Sequence, residues 1–150
     1  MKTILQNIQN KLSEVTELKY IDEDWGQLDY YSPNMPVKFP CCLIDIQSGQ
    51  FTNMGQDLAK KPRQRQNGVF SLKLSLADLK LSNTSLLAPK NQKENAWKIY
   101  DIVERIHQKL HGFSPLENCS KLLRLSFNRV MRDDGVQEYA IIYEFEAYNL

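Results

Sequence analysis

The sequence predicts a single α+β domain in which about four mainly antiparallel strands form a sheet with two amphipathic helices packed on one face, in the order α-β-β-α-β-β. Three observations carry that expectation. Leu123, Leu125 and Phe127 alternate with Arg124, Ser126 and Asn128, and Tyr139, Ile141, Tyr143 and Phe145 oppose Glu138, Glu144 and Glu146, so the last thirty residues read as two one-sided strands. Phe70, Leu72, Leu74 and Leu76 alternate in the same way with Ser71, Lys73 and Ser75. Two further segments, 4–15 and 92–111, repeat apolar residues at helical spacing instead. At 150 residues the chain suits one domain spanning 1–150, long enough to bury about two-thirds of its unfolded surface around one core.

In chain order, Ile4, Leu5, Ile8, Leu12 and Val15 predict an opening helix of about four turns. Residues 20 to 31 are aromatic and acidic together and read as an irregular connection with a short strand or turn. Prolines 33, 36 and 40 hold the next stretch extended. Phe39-Pro40 leads into a strand over 41–47, with Cys42, Ile44 and Ile46 on one face and Leu43 and Asp45 on the other; its near-continuous apolar character predicts an interior place in the sheet. Residues 48 to 67 are less regular, and the strand 69–77 follows. After a connection over 78–91, Ala96, Ile99, Tyr100, Val103, Ile106 and Leu110 form the expected buried stripe of a second helix, stopped by Gly112. In the closing hairpin a two-residue loop would bury the wrong face. The loop Asp133-Asp134-Gly135 sets Phe127 opposite Ile141, Leu125 opposite Tyr143 and Leu123 opposite Phe145, with Gly135 in the left-handed position.

Composition excludes more than it selects. The chain is 42% hydrophobic and 25% charged with a formal charge of +1, so no global attraction to nucleic acid or membrane exists. No apolar run approaches the roughly 18 residues of a membrane span, and the first fifteen residues lack a signal-peptide core, so a cytosolic setting is expected. The cysteines, Cys41, Cys42 and Cys119, form neither a disulfide framework nor a zinc pattern and are expected to be reduced, Cys41 and Cys42 as core residues rather than a redox pair. Asn83 and Asn118 head chance glycosylation sequons. The phosphate-loop, dinucleotide, zinc-protease and nucleophile-elbow motifs are missing, which argues against an enzyme. His107 and His111, four apart, could share a metal but have no further ligand placed by sequence, and as positive groups they suit a helix C-terminus. Asp45, Asp57 and Glu104 make an incomplete nuclease set. No catalytic residue, metal or cofactor is therefore expected.

The sharper feature is a basic stretch within a loop expected to protrude over about 48–67. From Asp57 to Gln66, Lys60, Lys61, Arg63 and Arg65 stand against Asp57 alone, a net of +3. Asp22, Glu23, Asp24 and Asp29 face no cation in their own segment, and Trp25 among them is either folded onto the core or an interface anchor. Docking onto an acidic protein surface, contact with nucleic-acid phosphates and simple solvation are the three readings of the basic loop.

The amphipathic N-terminal helix, the Phe39-Pro40 entry into a buried strand, the long loop, the strand 69–77, the helix ending near Gly112 and the C-terminal hairpin together resemble small tail terminator, or tail completion, proteins of long-tailed bacteriophages and prophages. The resemblance spans nearly all of the chain and rests on element order; Asp22, Glu23 and Asp24 match no family motif. It implies a structural subunit assembled in the host cytoplasm and carried in the virion tail or neck. Such a subunit forms a ring, commonly a hexamer, that caps the tail tube, ends its polymerisation and meets the head-tail connector. Its partners would be its own copies, the tail tube protein and connector proteins, with no cofactor. Within such a ring, Lys60, Lys61, Arg63 and Arg65 of one copy are expected to meet Asp22, Glu23, Asp24 and Asp29, beside Trp25, on the next. The competing expectation is a nucleic-acid-binding or nuclease accessory domain of a mobile element, using the basic loop with Arg124, Arg129 and Arg132; a plain host scaffold or adaptor comes third.

Overall fold

A computed structural model describes residues 1–30, 33–80 and 82–150; Tyr31, at the end of the expected acidic connection, and Leu81, in the connection 78–91, lie outside them. The chain runs α1 (Lys2–Leu12), β1 (Tyr20–Glu23), a 3-10 turn (Gln27–Asp29), β2 (Cys41–Gln56), β3 (Gln64–Leu79), α2 (Lys90–Leu110), β4 (Leu123–Val130) and β5 (Val136–Ala147). The strands form one five-stranded sheet in the order β1-β2-β3-β5-β4. The α+β class is as expected, with one strand more than expected: the short acidic segment contributes β1, which lies parallel to β2 while all other neighbours are antiparallel.

Alternation decides which face meets the helices. Cys42, Ile44, Phe70, Leu72, Leu74, Leu76, Tyr139, Ile141, Tyr143 and Phe145 pack beneath Ile4, Ile8, Leu12, Ile99, Ile102, Ile106 and Leu110. The stripe of α2 is rotated from the expected one: Ile102 is buried and Tyr100 is 45% exposed. Among the described residues, the opposite sheet face is covered near the start of β2, where Leu28, Cys41, Leu43, Ala77 and Val136 meet Met35, Val37 and Phe39. Helix α1 is three turns, shorter than expected, because the chain turns after Leu12; Val15 is buried beyond its end. Its Gln9 amide donates to Ile21 O (2.9 Å), which occupies a carbonyl of the edge strand β1.

The closing hairpin begins in the expected register, with Phe127 opposite Ile141, and Gly135 has a φ of 77°. A bulge at Leu125 then changes it. Arg124 faces Tyr143 and Leu123 faces Glu144, so Leu123 moves to the other side of the sheet. The expected pairs Leu125–Tyr143 and Leu123–Phe145 do not form.

Tyr143 is fully buried, and its hydroxyl has no hydrogen-bond partner among the described residues. A buried hydroxyl without a partner forfeits its hydration and gains nothing in return. Tyr143→Phe is expected to be neutral or to stabilise by up to about 1 kcal/mol in thermal unfolding. A clear loss of melting temperature would show that the hydroxyl is in fact satisfied.

Candidate assembly surfaces

The segment 48–67, expected as an irregular loop, is largely a continuation of the β2–β3 hairpin. Pairing continues through Thr52–Asn67, Asn53–Gln66 and Gly55–Arg65 to Gln56–Gln64, leaving only residues 57–63 as the connection. Beyond the Gly68–Ala147 pair, β5 no longer flanks β3, and the C-terminus braces the hairpin through two backbone bonds between Gln66 and Leu150 (3.2 and 2.8 Å). Past that point a two-stranded arm projects from the body. Its root is tight: a Cβ on Gly49 or on Gly68 would lie 2.7 Å from the Phe70 ring, which stacks on Phe145 and meets Phe51 edge-on. At the tip, the Asp57 carboxylate accepts from Ala59 N (2.9 Å) and closes the turn.

The four basic residues of the arm do not act alike. Arg65 donates through Nε to Asn149 Oδ1 (2.8 Å) and through Nη1 to Pro62 O (3.0 Å), and Nη2 also reaches Asn149 O, so it ties the arm to the C-terminus. Lys60, Lys61 and Arg63 are exposed at the tip, with no ion pair among the described residues.

The acidic segment lies at the other end of the same strand, with Glu23 opposite Ile44. Twelve residues of β2 separate that level from Gln56, about 40 Å at the strand rise. One copy therefore cannot pair its own arm with its own acidic segment. Two of the segment's four carboxylates, Asp22 and Asp24, are also engaged locally. Asp22 accepts from Tyr20 Oη (2.8 Å), Glu23 N (2.8 Å), Trp25 Nε1 (3.3 Å) and Gln27 Nε2 (3.3 Å). Burial alone would raise its pKa, but these donors hold it below the ordinary carboxylate value. Asp24 accepts from Gly26 N (3.0 Å) and lies 3.7 Å from Lys73 Nζ. The Gln27 side chain, fully buried, organises the turn by donating to Glu23 O (2.8 Å) and accepting from Trp25 N (2.9 Å). Asp22, Glu23 and Asp29 have no ion pair among the described residues, and of these the carboxylates of Glu23 and Asp29 also take no part in the local bonds that hold Asp22. Trp25 is 55% exposed and meets Tyr30 edge-on at 6.0 Å, so it stands on the surface of the segment.

A buried knot fastens this segment to the closing hairpin. Arg132 donates to Asp134 (Nε–Oδ1 3.1 Å, Nη2–Oδ2 2.6 Å), to Glu138 Oε1 (3.1 Å) and to Leu28 O. Arg132 was a candidate for nucleic-acid contact in the sequence; its side chain is 12% exposed and is consumed by this knot.

A third surface was not legible as such in the sequence. Strand β4 is a sheet edge, paired with β5 alone, and Leu125 and Phe127 remain 59% and 40% exposed. Beside them Trp97 and Tyr100 of α2 are about half exposed. Phe127 stacks on Tyr139 (4.7 Å between centroids), whose hydroxyl lies 2.7 Å from that of Tyr100. Burial, and then the bond to Tyr100, push the Tyr139 phenol up to about 12. Between α2 and β4 runs a groove of about 480 Å³ lined by Tyr100, Val103, Glu104, His107, Arg124, Leu125, Ser126 and Phe127, continued toward the helix start by a hollow lined by Glu94, Trp97, Tyr100 and Asp101.

The residues weighed for chemistry do not converge. Asp45 sits opposite Lys73 within the sheet, Asp57 at the arm tip and Glu104 on α2, so the nuclease set is dispersed. The His107 and His111 rings lie 4.6 Å apart, tilted by 37°, but His111 Nδ1 accepts from Arg124 N (3.2 Å); burial, Arg124 and His111 hold His107 below its ordinary pKa. Among the described residues no cluster of three His, Cys, Asp or Glu side chains is arranged to hold a metal. All three cysteines are buried, and burial pushes the Cys41 thiol up to about 12 and Cys42 higher still, so neither is a thiolate at neutral pH. No helix among the described residues is long and apolar enough to cross a membrane.

No protein-family model matches this chain, and no curated protein does. Among solved structures, a chain from the virion of a native gene transfer agent particle superposes with a TM-score of 0.50, covering 92% of this chain and 84% of that chain at 7% sequence identity. At that identity the likeness is one of fold: this chain is folded like a component of a virion particle.

Proposed function

We propose that this protein is a structural, non-enzymatic subunit of a phage-like particle, a tail-terminator-like component that assembles head to tail into a ring, caps a tail tube and offers the ring to a head-side connector. The observation that carries this reading is the basic arm standing clear of the body at the opposite end of β2 from the acidic segment. A patch that cannot reach its complement within one chain but can do so between chains suits a head-to-tail contact, and such contacts form a ring where the rotation from copy to copy closes. The fold shared with a virion chain supports the reading. Lys60, Lys61 and Arg63 form the projecting half, with Arg65 holding the arm in place. The acidic segment, through Glu23, Asp29 and the exposed Trp25 beside Asp22 and Asp24, is one surface that could receive it.

Light scattering on the purified chain tests the proposal. The native chain is expected to form a closed oligomer, and Lys60→Glu, Lys61→Glu and Arg63→Glu together are expected to reduce it to monomers without changing the circular dichroism. The contact is also expected to weaken with salt, since the screening length falls from about 10 Å at 0.1 M to about 3 Å at 1 M. A native chain that stays monomeric at high concentration would overturn the ring. Steeply salt-dependent retention of DNA by such a monomer would favour the nucleic-acid reading.

A further inference from the structure

We propose that the groove between α2 and β4 is the receptor for the arm of a second copy of this chain. The inference rests on the ring reading above and names the surface that receives the arm, in place of the acidic segment. Three features of the groove set its chemistry. Its helix wall carries Glu94, Asp101 and Glu104, spaced at 0, 7 and 10 residues so that they share one face of α2. Lys90, 3.8 Å from Glu94, is the only cation in an ion pair with any of the three among the described residues. Its floor and opposite wall are mainly aromatic and aliphatic, with Trp97, Tyr100, Phe127 and Leu125 each between 40% and 59% exposed, and Arg124 and Ser126 also on the β4 wall. Aromatic faces beside carboxylates suit lysine and arginine, which gain from the ring quadrupole and from the charge together.

The arm has the matching chemistry. Lys60, Lys61 and Arg63 stand at its tip, and Phe51, Met54 and Leu58 are 54%, 57% and 74% exposed, so it offers cations and apolar side chains within one projecting element. The acidic segment matches less well, because Asp22 and Asp24 already accept bonds from their own neighbours. Geometry also forbids the contact within one chain. Strand β4 lies level with Ser71–Ala77 of β3, two strands away, whereas the arm leaves the sheet at Gly68 and continues in the opposite direction. Only another copy can bring the two together. Because β4 pairs on one side alone, its outer backbone groups remain available to a segment laid along the groove.

A charge swap read by light scattering and analytical ultracentrifugation on the full chain tests this. Asp101→Lys with Glu104→Lys is expected to raise the concentration of half-assembly about tenfold or more, as is Lys60→Glu, Lys61→Glu and Arg63→Glu. Combining the two sets is expected to restore assembly, a result that damaged folding cannot mimic. Glu23→Lys with Asp29→Lys is expected to leave assembly unchanged. If the arm variant disassembles, but the groove variant does not and the Glu23/Asp29 variant does, the groove assignment fails while the ring survives. If the native chain does not associate, both fall. Assembly that resists both reversals and yields only to Trp25→Ala would also overturn the groove.

Discussion

Arg132→Met is expected to destabilise the protein by about 3–5 kcal/mol, the cost of leaving buried charges without their partner. The side chains of Asp134 and Glu138 are 9% and 10% exposed, and the same guanidinium also satisfies Leu28 O. For a domain of this size that loss lowers the melting temperature by about 10 °C. The pH dependence identifies the cause. The hydrogen bonds from Arg132 outweigh burial and hold Asp134 below its ordinary pKa, so Asp134 contributes stability above its unfolded pKa that is lost as pH falls. Burial outweighs the attraction of Arg132 at Glu138 and holds that carboxyl above its ordinary value, so its ionised form is a cost that appears as pH rises through the folded pKa. Removing Arg132 abolishes the first contribution and enlarges the second. The deficit should therefore be greatest at neutral pH and narrow as pH falls below the ordinary carboxylate range, through the lowered pKa of Asp134. A deficit that does not vary with pH would assign the loss to packing instead.

Leu74→Ala is expected to cost about 3–5 kcal/mol in urea unfolding, whereas Phe127→Ala costs about 1 kcal/mol or less. The two residues lie on one row across the sheet, Ile44–Leu74–Ile141–Phe127, and the first three are fully buried. A void at Leu74 has no solvent to fill it. Phe127, at 40% exposure, leaves a site that water already reaches. Its truncation should instead weaken self-association through the groove. Equal unfolding losses in the two variants would mean that the row is buried to its end.

The alternating segments were legible because each has one dry face. Phe70 to Leu76 and Tyr139 to Phe145 announce themselves as strands for that reason, and the first pair of the closing hairpin was set correctly by Gly135. The bulge at Leu125 leaves no such mark: Leu123, Leu125 and Phe127 keep their alternation in the sequence while the backbone changes its register. Their apolarity pointed to burial, but two helices, each about 10 Å wide, do not shelter all of five strands, and β4 is left at the margin. Residues 48–56 were missed as strand for the opposite reason. Both faces of the arm are wet, so Gln50, Thr52 and Asn53 serve as well as apolar residues and no period-two pattern arises. The basic residues of the arm were visible by composition, but not that Arg65 is a brace for the C-terminus. Nor could spacing along the chain reveal that Asp22 is satisfied by its own turn, or that Glu104 borders Leu125 and Phe127 brought from β4.

The register shifts in β2, one between Ile46 and Ser48 and another between Asn53 and Gly55, bear on a different quantity. Bulges bend and twist a strand, so these two aim the arm relative to the body. In a closed assembly built by handing an arm to the next copy, that direction is the turn taken at each step, and a full circle divided by it is the number of copies. Stoichiometry would then be written in the backbone at Gln47 and Met54, while affinity is written in side chains elsewhere.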